Sequence, residues 1–386
     1  MKIPLKYNAR SLRLRPVSTL MTVLSIALVV AISVAIMALA DGLDRALVSS
    51  GDPENILVRR RGSDSELSSS VSHEAMHAIQ HLPGVRDDGQ RSFASGEVVV
   101  VINLPRRNQG DPANVTVRGL SSAGMALHPQ VRIVQGRMFS EGLREVIVSQ
   151  SILERFERTA VGDHLRLGKG DWEVVGIFDA GRTAFGSEIW ADVNQLAGDF
   201  NRESYSSVLL RATDAASVSG VIARVESDPR FNLMAQPELK YYGEQTRASR
   251  PLKLLGTFIA IVMGIGACFA AMNTMYAAVD YRAREITTLR VLGFKRRSVL
   301  LSFVAESLLL ALVGGALGCL LVWPVNGLST GTVNWQTLSE VAFAFRITPW
   351  LLVKGLAFAA MLGLLGGLLP AWQASHLAPA SALREL

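Results

Sequence analysis

Two cysteines in 386 residues leave little for covalent bracing. Cys268 and Cys319 both fall inside apolar runs, so they supply neither a disulfide framework nor an exposed nucleophile. A Gly-x-x-x-x-Gly-Lys-Ser/Thr loop is also missing. The single Gly-Lys pair, Gly168-Lys169, is followed by Gly170 in a strand-turn context, which excludes a phosphate-cradling nucleotide site of that kind in this sequence. Acidic side chains are absent from the first sixteen positions, which hold Lys2, Lys6, Arg10, Arg13 and Arg15. Between Asp41 and Arg250 no apolar run is long enough to span a bilayer.

Elsewhere apolar runs dominate: 49% of the residues are hydrophobic, with a sequence pI near 9.5. Such a pI could point to nucleic acid, but the location of the charge decides otherwise. Residues 41–250 carry 24 basic against 28 acidic side chains, whereas the excess of positive charge sits beside hydrophobic runs, as on cytoplasmic membrane flanks. Nucleic acid is therefore excluded as a partner and membrane lipid is expected. The chain reads as a cytoplasmic basic segment (1–16), a first span (17–40), an extracytoplasmic α+β domain (41–250) and a stem end with the second span (251–279). A basic amphipathic segment (280–298), a third span (299–322), a short outer loop (323–348), a fourth span (349–369) and a cytoplasmic tail (370–386) follow. The first span has about 24 residues, roughly 36 Å as a helix and enough for a hydrocarbon core of about 30 Å. A cleavable signal peptide is the competing reading, with a shorter apolar region of about 7–15 residues. Trp323, Trp335 and Trp350 fall at the outer interface, Tyr281 and Trp372 at the inner one.

The segment from Asp280 to Ser298 carries six basic and two acidic residues between two spans. Arg284 to Leu292 reads as a short helix, with Glu285 in its first turn and Gly293 as a left-handed stop. Ile286, Leu289 and Leu292 fall near one face, flanked by Arg282, Arg284 and Arg290; such an exposed stripe calls for a cytoplasmic protein to cover it. An ordinary basic membrane-flanking loop is the plain alternative. The pattern Arg-x-Arg-Glu-Ile-x-x-Leu-Arg-x-Leu-Gly resembles the hinge of the FtsX-like, MacB/Lol-type ABC transporter permeases. That resemblance implies a coupling helix seated on a separate ABC-type ATPase, which would bind ATP and Mg, with no cofactor or metal in this chain and no catalysis of its own. It further implies a second permease copy, identical or related, and a periplasmic adaptor as a further partner.

In the large domain, strands are predicted at 55–59, 97–102, 114–118, 145–148, 164–167, 172–178 and 206–210. Helices fit at 72–82, 151–158, 193–197 and 215–226. The serine-rich stretch Gly62 to Ser70 reads as the most mobile linker. Gln135-Gly-Arg-Met-Phe, Arg144-Glu-Val-Ile-Val-Ser, Val161-Gly-Asp-His-Leu and Trp172-Glu-Val-Val-Gly-Ile-Phe resemble, in order and spacing, the MacB-type extracytoplasmic domain. His73-Glu-Ala-Met-His77, with His81 one turn on, matches the zincin pattern, but the helix is short and stopped at Pro83, so a solvated face is the better reading.

Within the spans, Gly314 with Gly318 and Gly363 with Gly367 form Gly-x-x-x-Gly pairs suited to close helix packing, and Gly264 and Gly266 notch the second span. Asn273 and Glu306 are intramembrane polar residues; Glu306 needs a protein partner, with Asn273 or a hinge arginine as candidates. The tail, Leu369-Pro-Ala…Ala-Leu-Arg384, again resembles the family signature. The expected function is that of a permease subunit of an ATP-driven, MacB-like exporter in the cell (inner) membrane, passing ATPase closure to the outer domain and moving lipoprotein, peptide or amphiphile. Two alternatives are an FtsX-like signalling subunit that activates a cell-wall hydrolase and a membrane-tethered zinc protease.

Overall fold

The computed structural model describes residues 16–89, 92–107, 111–181, 183–245, 250–333 and 339–377. The basic segment 1–15, Trp335 and the tail from 378 lie outside the described residues. The chain forms two units: Met1–Asp41 with Arg250–Leu328 and Phe345–Leu386, and Gly42–Ser249 with Ser329–Ala344. Helix α1 (Pro16–Val48) does not end at Ala40. It continues because Leu43, Ala46 and Leu47 keep a helical spacing and are buried.

In the second unit a ten-stranded sheet runs in the order β10-β1-β9-β2-β3-β8-β5-β7-β4, with β6 also paired to β7. Its strands are β1 (Asn55–Arg60), β2 (Ala94–Leu104), β3 (Ala113–Leu120), β4 (Arg132–Gly136), β5 (Glu145–Ser149), β6 (His164–Leu167), β7 (Gly170–Asp179), β8 (Glu188–Asp192), β9 (Ser207–Arg211) and β10 (Leu233–Pro237). Helices α2 (His73–Ile79), α3 (Ser122–Leu127), α4 (Gln150–Arg155), α5 (Val193–Asp199), α6 (Val218–Ser227) and α7 (Glu238–Gln245) join them. Both faces are covered. Alternate residues of β1 and β9 (Ile56, Val58, Val208, Leu210) pack with α2 and α6, while Leu57 and Leu209 point into a core around Phe178, Phe185 and Trp190. Ser72 caps α2, its hydroxyl accepting from Ala75 N–H at 3.1 Å. Strands β4, β8 and β10 and helix α3 were not expected from the sequence; β4 is exposed along its length, so it has no alternation to betray it.

A buried arginine organises the interior. The Arg118 guanidinium donates to Glu97 (2.6 Å), Glu66 (2.9 Å) and both oxygens of Glu188 (2.8 and 2.9 Å). Burial works against its charge, yet the three carboxylates hold its pKa well above the ordinary value. Glu66 lies in the stretch expected to be a mobile linker. Ser63, Ser65, Glu66 and Ser69 are instead buried, and Ser207 donates its hydroxyl to Glu66 at 2.7 Å. The reason is electrostatic: a buried Arg118 between β2 and β8 requires this carboxylate.

The first unit contains α8 (Arg250–Tyr281), α9 (Ala283–Val291), α10 (Arg296–Val322), a 3-10 turn at Trp323–Val325 and α11 (Pro349–His376). Thr348 caps α11, accepting from Leu351 N–H, with Pro349 in the first turn. Among the described residues, four helices are long and apolar enough to cross a membrane, involving α1, α8, α10 and α11. Small residues set their spacing. A Cβ at Gly314 would stand 2.9 Å from Val23 O, and at Gly318 2.5 Å from Ala27 O, so both glycines admit α1. Gly363 and Gly367 face Ala311 and Ser307 of α10. Gly264 faces Phe358 and Leu362, whereas Gly266 has open space beside it. The outer loop is also more than a loop: it folds as an antiparallel hairpin of β11 (Ser329–Val333) and β12 (Glu340–Ala344) that belongs to the second unit.

One carboxylate in the α+β unit is held in its protonated form by burial over part of the acid range. Glu238, first residue of α7, accepts from Asp52 N–H and from Asn55 Nδ2, both at 2.9 Å. Burial pushes its pKa from 4.5 up to about 7, against the pull of nearby His128. Between these values the folded chain holds a proton that the unfolded chain has released, so this group's contribution to stability falls as pH rises through the window and levels off above it. Glu238→Gln keeps an acceptor and should abolish that slope, leaving the variant the more stable protein near neutrality. Unfolding followed by the fluorescence of buried Trp172 and Trp190 at a series of pH values checks this; an unchanged slope would contradict it.

Candidate functional site

The segment joining α8 to α10 combines a short helix, a buried ion pair and an exposed tip. At Arg282 the backbone leaves the helical region (φ −101°, ψ 12°), ending α8 and starting α9 in a new direction. Glu285 sits in the first turn, where its charge suits the helix dipole. The far end closes on a Schellman pattern: Phe294 N–H donates to Leu289 O at 3.1 Å and Gly293 N–H to Arg290 O at 3.2 Å, with Gly293 at φ +93°. A side chain at Gly293 would be strained in that left-handed conformation.

The helix is anchored by charge. Arg282 Nη1 donates to Glu306 Oε2 of α10 at 2.9 Å, with the two side chains 8% and 4% exposed. Arg282 Nε lies 3.5 Å from Glu285 Oε2, and the guanidinium stands 5.2 Å from the centre of the Phe303 ring. Glu306 thus takes the hinge-arginine partner, and Asn273 is exposed on α8. Ile286 is 2% exposed and packs with Met275, Val279, Val299 and Phe303.

This corrects the expected docking stripe. Ile286, Leu289 and Leu292 advance three residues at a time, about 60° short of a full turn per step, so the first and last are about 120° apart. Ile286 and Arg282 face inward, Leu289 and Arg290 are half-buried, and Leu292 is exposed. The outward surface is Arg284, Glu285, Thr288, Val291 and Leu292, spaced at helical repeats. Val291 and Leu292 are 67% and 66% exposed, with Lys295, Arg296 and Arg297 exposed just beyond. Sequence reasoning missed Val291, although its three-residue spacing from Thr288 and its place beside Leu292 put it on the outward face. An apolar tip ringed by cations suits a soluble protein face that is apolar at its centre and acidic at its edge.

The histidine motif does not build a comparable site. His73 packs against the Tyr205 ring at 4.5 Å, His77 Nδ1 meets Gln80 Nε2 at 3.2 Å, and His81 leans toward Asp87 at 3.8 Å. Among the described residues no group of three His, Cys, Asp or Glu side chains is arranged to hold a metal ion.

Residues 19–228 match the MacB-like periplasmic core domain, and residues 257–379 match the FtsX-like permease C-terminal domain. Over 95% of its length the chain is 24% identical to an uncharacterized ABC transporter permease, YknZ, of Bacillus subtilis, covering 94% of that protein. It is 25% identical to a macrolide export ATP-binding/permease protein MacB of Bdellovibrio bacteriovorus and 27% identical to one of Brucella melitensis, covering 94% and 98% of this chain. The chain spans 59% and 60% of those two relatives' length. The extracellular domain of the transporter YknZ from Gram-positive bacteria aligns at 19% identity with a TM-score of 0.36, covering 47% of this chain and 98% of that domain.

Removing Arg282 leaves Glu306 as an uncompensated buried carboxylate, a loss of about 3–5 kcal/mol by analogy with other buried pairs. Arg282→Ala should therefore lower the thermal stability of the purified protein and expose α9 to protease, whereas Leu292→Asp should change stability by no more than about 0.5 kcal/mol. Equal stability of Arg282→Ala and wild type would refute the anchoring role.

Proposed function

Because the chain belongs to the ABC transporter permeases of the MacB and FtsX type, we propose that it is the membrane subunit through which a separate ABC-type ATPase drives export. The observation that carries this is the hinge: α9 offers an apolar, cation-ringed tip while Arg282 ties its base to Glu306 of α10. A push on that tip is delivered to α8 and α10 rather than absorbed by a loose loop, because the buried pair has no solvated alternative in the membrane. The large α+β domain then receives the motion outside the cell, and α1 and α8 are the helices that flank it in the chain.

In this reading ATP and Mg bind to the partner, and two copies of the permease, identical or related, meet two ATPases. The hinge and both termini lie in the cytoplasm, in keeping with the basic residues beside the spans. Cargo is a lipoprotein, a peptide or a small amphiphile handled on the outer side of the membrane, with a periplasmic adaptor as a further partner.

Leu292→Asp places a buried-interface charge at the tip without touching the anchor. Co-purification of the ATPase from native membranes should be lost with this variant and kept by Thr287→Ser on the inner face. Undiminished ATPase recovery with Leu292→Asp would overturn the docking assignment.

A further inference from the structure

The hairpin of β11 and β12 is the loop between α10 and α11, yet it is fastened inside the α+β unit by charge. Glu340, the first residue of β12, has a side chain 6% exposed and accepts from Arg106 Nη2 at 2.7 Å. It also pairs with Arg155 at the end of α4. Gly331, on the facing strand, makes room for this arrangement: a Cβ there would stand 2.5 Å from Arg155 Nη2 and run into the Glu340 carboxylate. A second fastening lies two residues on, where Ala342 N–H donates to the Ser187 hydroxyl at 2.6 Å. A cavity of about 40 Å³, lined in part by Arg118, Glu188, Tyr242 and Glu340, joins the clamp to the central charge cluster; it is large enough for ordered water.

A loop that served only to reverse the chain between two membrane helices would need none of these features. Its strands continue directly toward the 3-10 turn at Trp323–Val325 on one side and α11 on the other. We propose that this hairpin is a second force-transmitting attachment of the α+β domain, through which displacement of α10 and α11 reaches the sheet independently of α1 and α8. The inference rests on the reading of the hinge as an ATPase docking point and extends it to the opposite end of α10. The electrostatics make the clamp breakable by one substitution. Without the Glu340 charge, Arg106 and Arg155 face each other as like charges, one of them largely buried, and the hairpin is driven off.

The test is hydrogen–deuterium exchange on the full chain in complex with its ATPase in lipid nanodiscs, with and without MgATP and vanadate. In wild type, nucleotide should alter exchange both in α9 and in β5 and β7. In Glu340→Gln the α9 response should persist while the response of β5 and β7 is lost. To separate lost attachment from lost folding, Ser187→Cys with Ala342→Cys, oxidised in the Glu340→Gln background, should fasten the hairpin covalently and restore the sheet response. An unchanged sheet response in Glu340→Gln, or no restoration by the cross-link, would overturn the inference. No α9 response in wild type would instead sink the docking reading on which it rests.

Discussion

A carboxylate placed in a membrane helix has no water to fall back on, and the hinge follows from that constraint. Glu306 must find a cation within the protein, and the one it finds is Arg282, the residue at which α8 gives way to α9. Fixing Arg282 fixes the start of the short helix; the Phe303 ring and the apolar pocket around Ile286 then leave it a single seat. The exposed tip at Val291 and Leu292 is what remains when every side chain that can be buried has been.

The same logic recurs in the α+β unit, away from lipid. Arg118 is surrounded by Glu66, Glu97 and Glu188, drawn from three separate stretches of chain, and Glu340 is held by Arg106 and Arg155. Buried pairs of this kind add little net stability compared with apolar residues of equal volume, but breaking one side is costly. Their effect is to specify which segments meet: the serine-rich stretch with β3, and the hairpin with α4.

Much of this was legible in the sequence. Long apolar runs bounded by basic residues marked the membrane helices, short apolar, valine-rich runs marked most strands, and Gly293 marked the end of the hinge helix. Glu306 announced its need for a partner, and the hinge arginines narrowed the choice. What was not legible depended on contacts between distant segments. Gly62 to Ser70 looks like a linker because nothing local reveals that Glu66 answers Arg118 across a sequence gap. Ile286 looks exposed because a three-residue repeat drifts around a helix, and only the surrounding helices decide which side is covered. The hairpin's short strands carry glycine and small residues, so their pairing is set by Glu340 and Ser187 rather than by propensity.

The left-handed residue at Gly293 has one more consequence. Because it halts α9 at a fixed point after the break at Arg282, the direction in which Val291 and Leu292 project is determined by a count of residues. One added or deleted position between those two landmarks would swing the tip by about 100° around the helix axis. The chemistry of that ledge can thus be changed by side-chain replacement while the direction in which it projects stays fixed by the length of the helix.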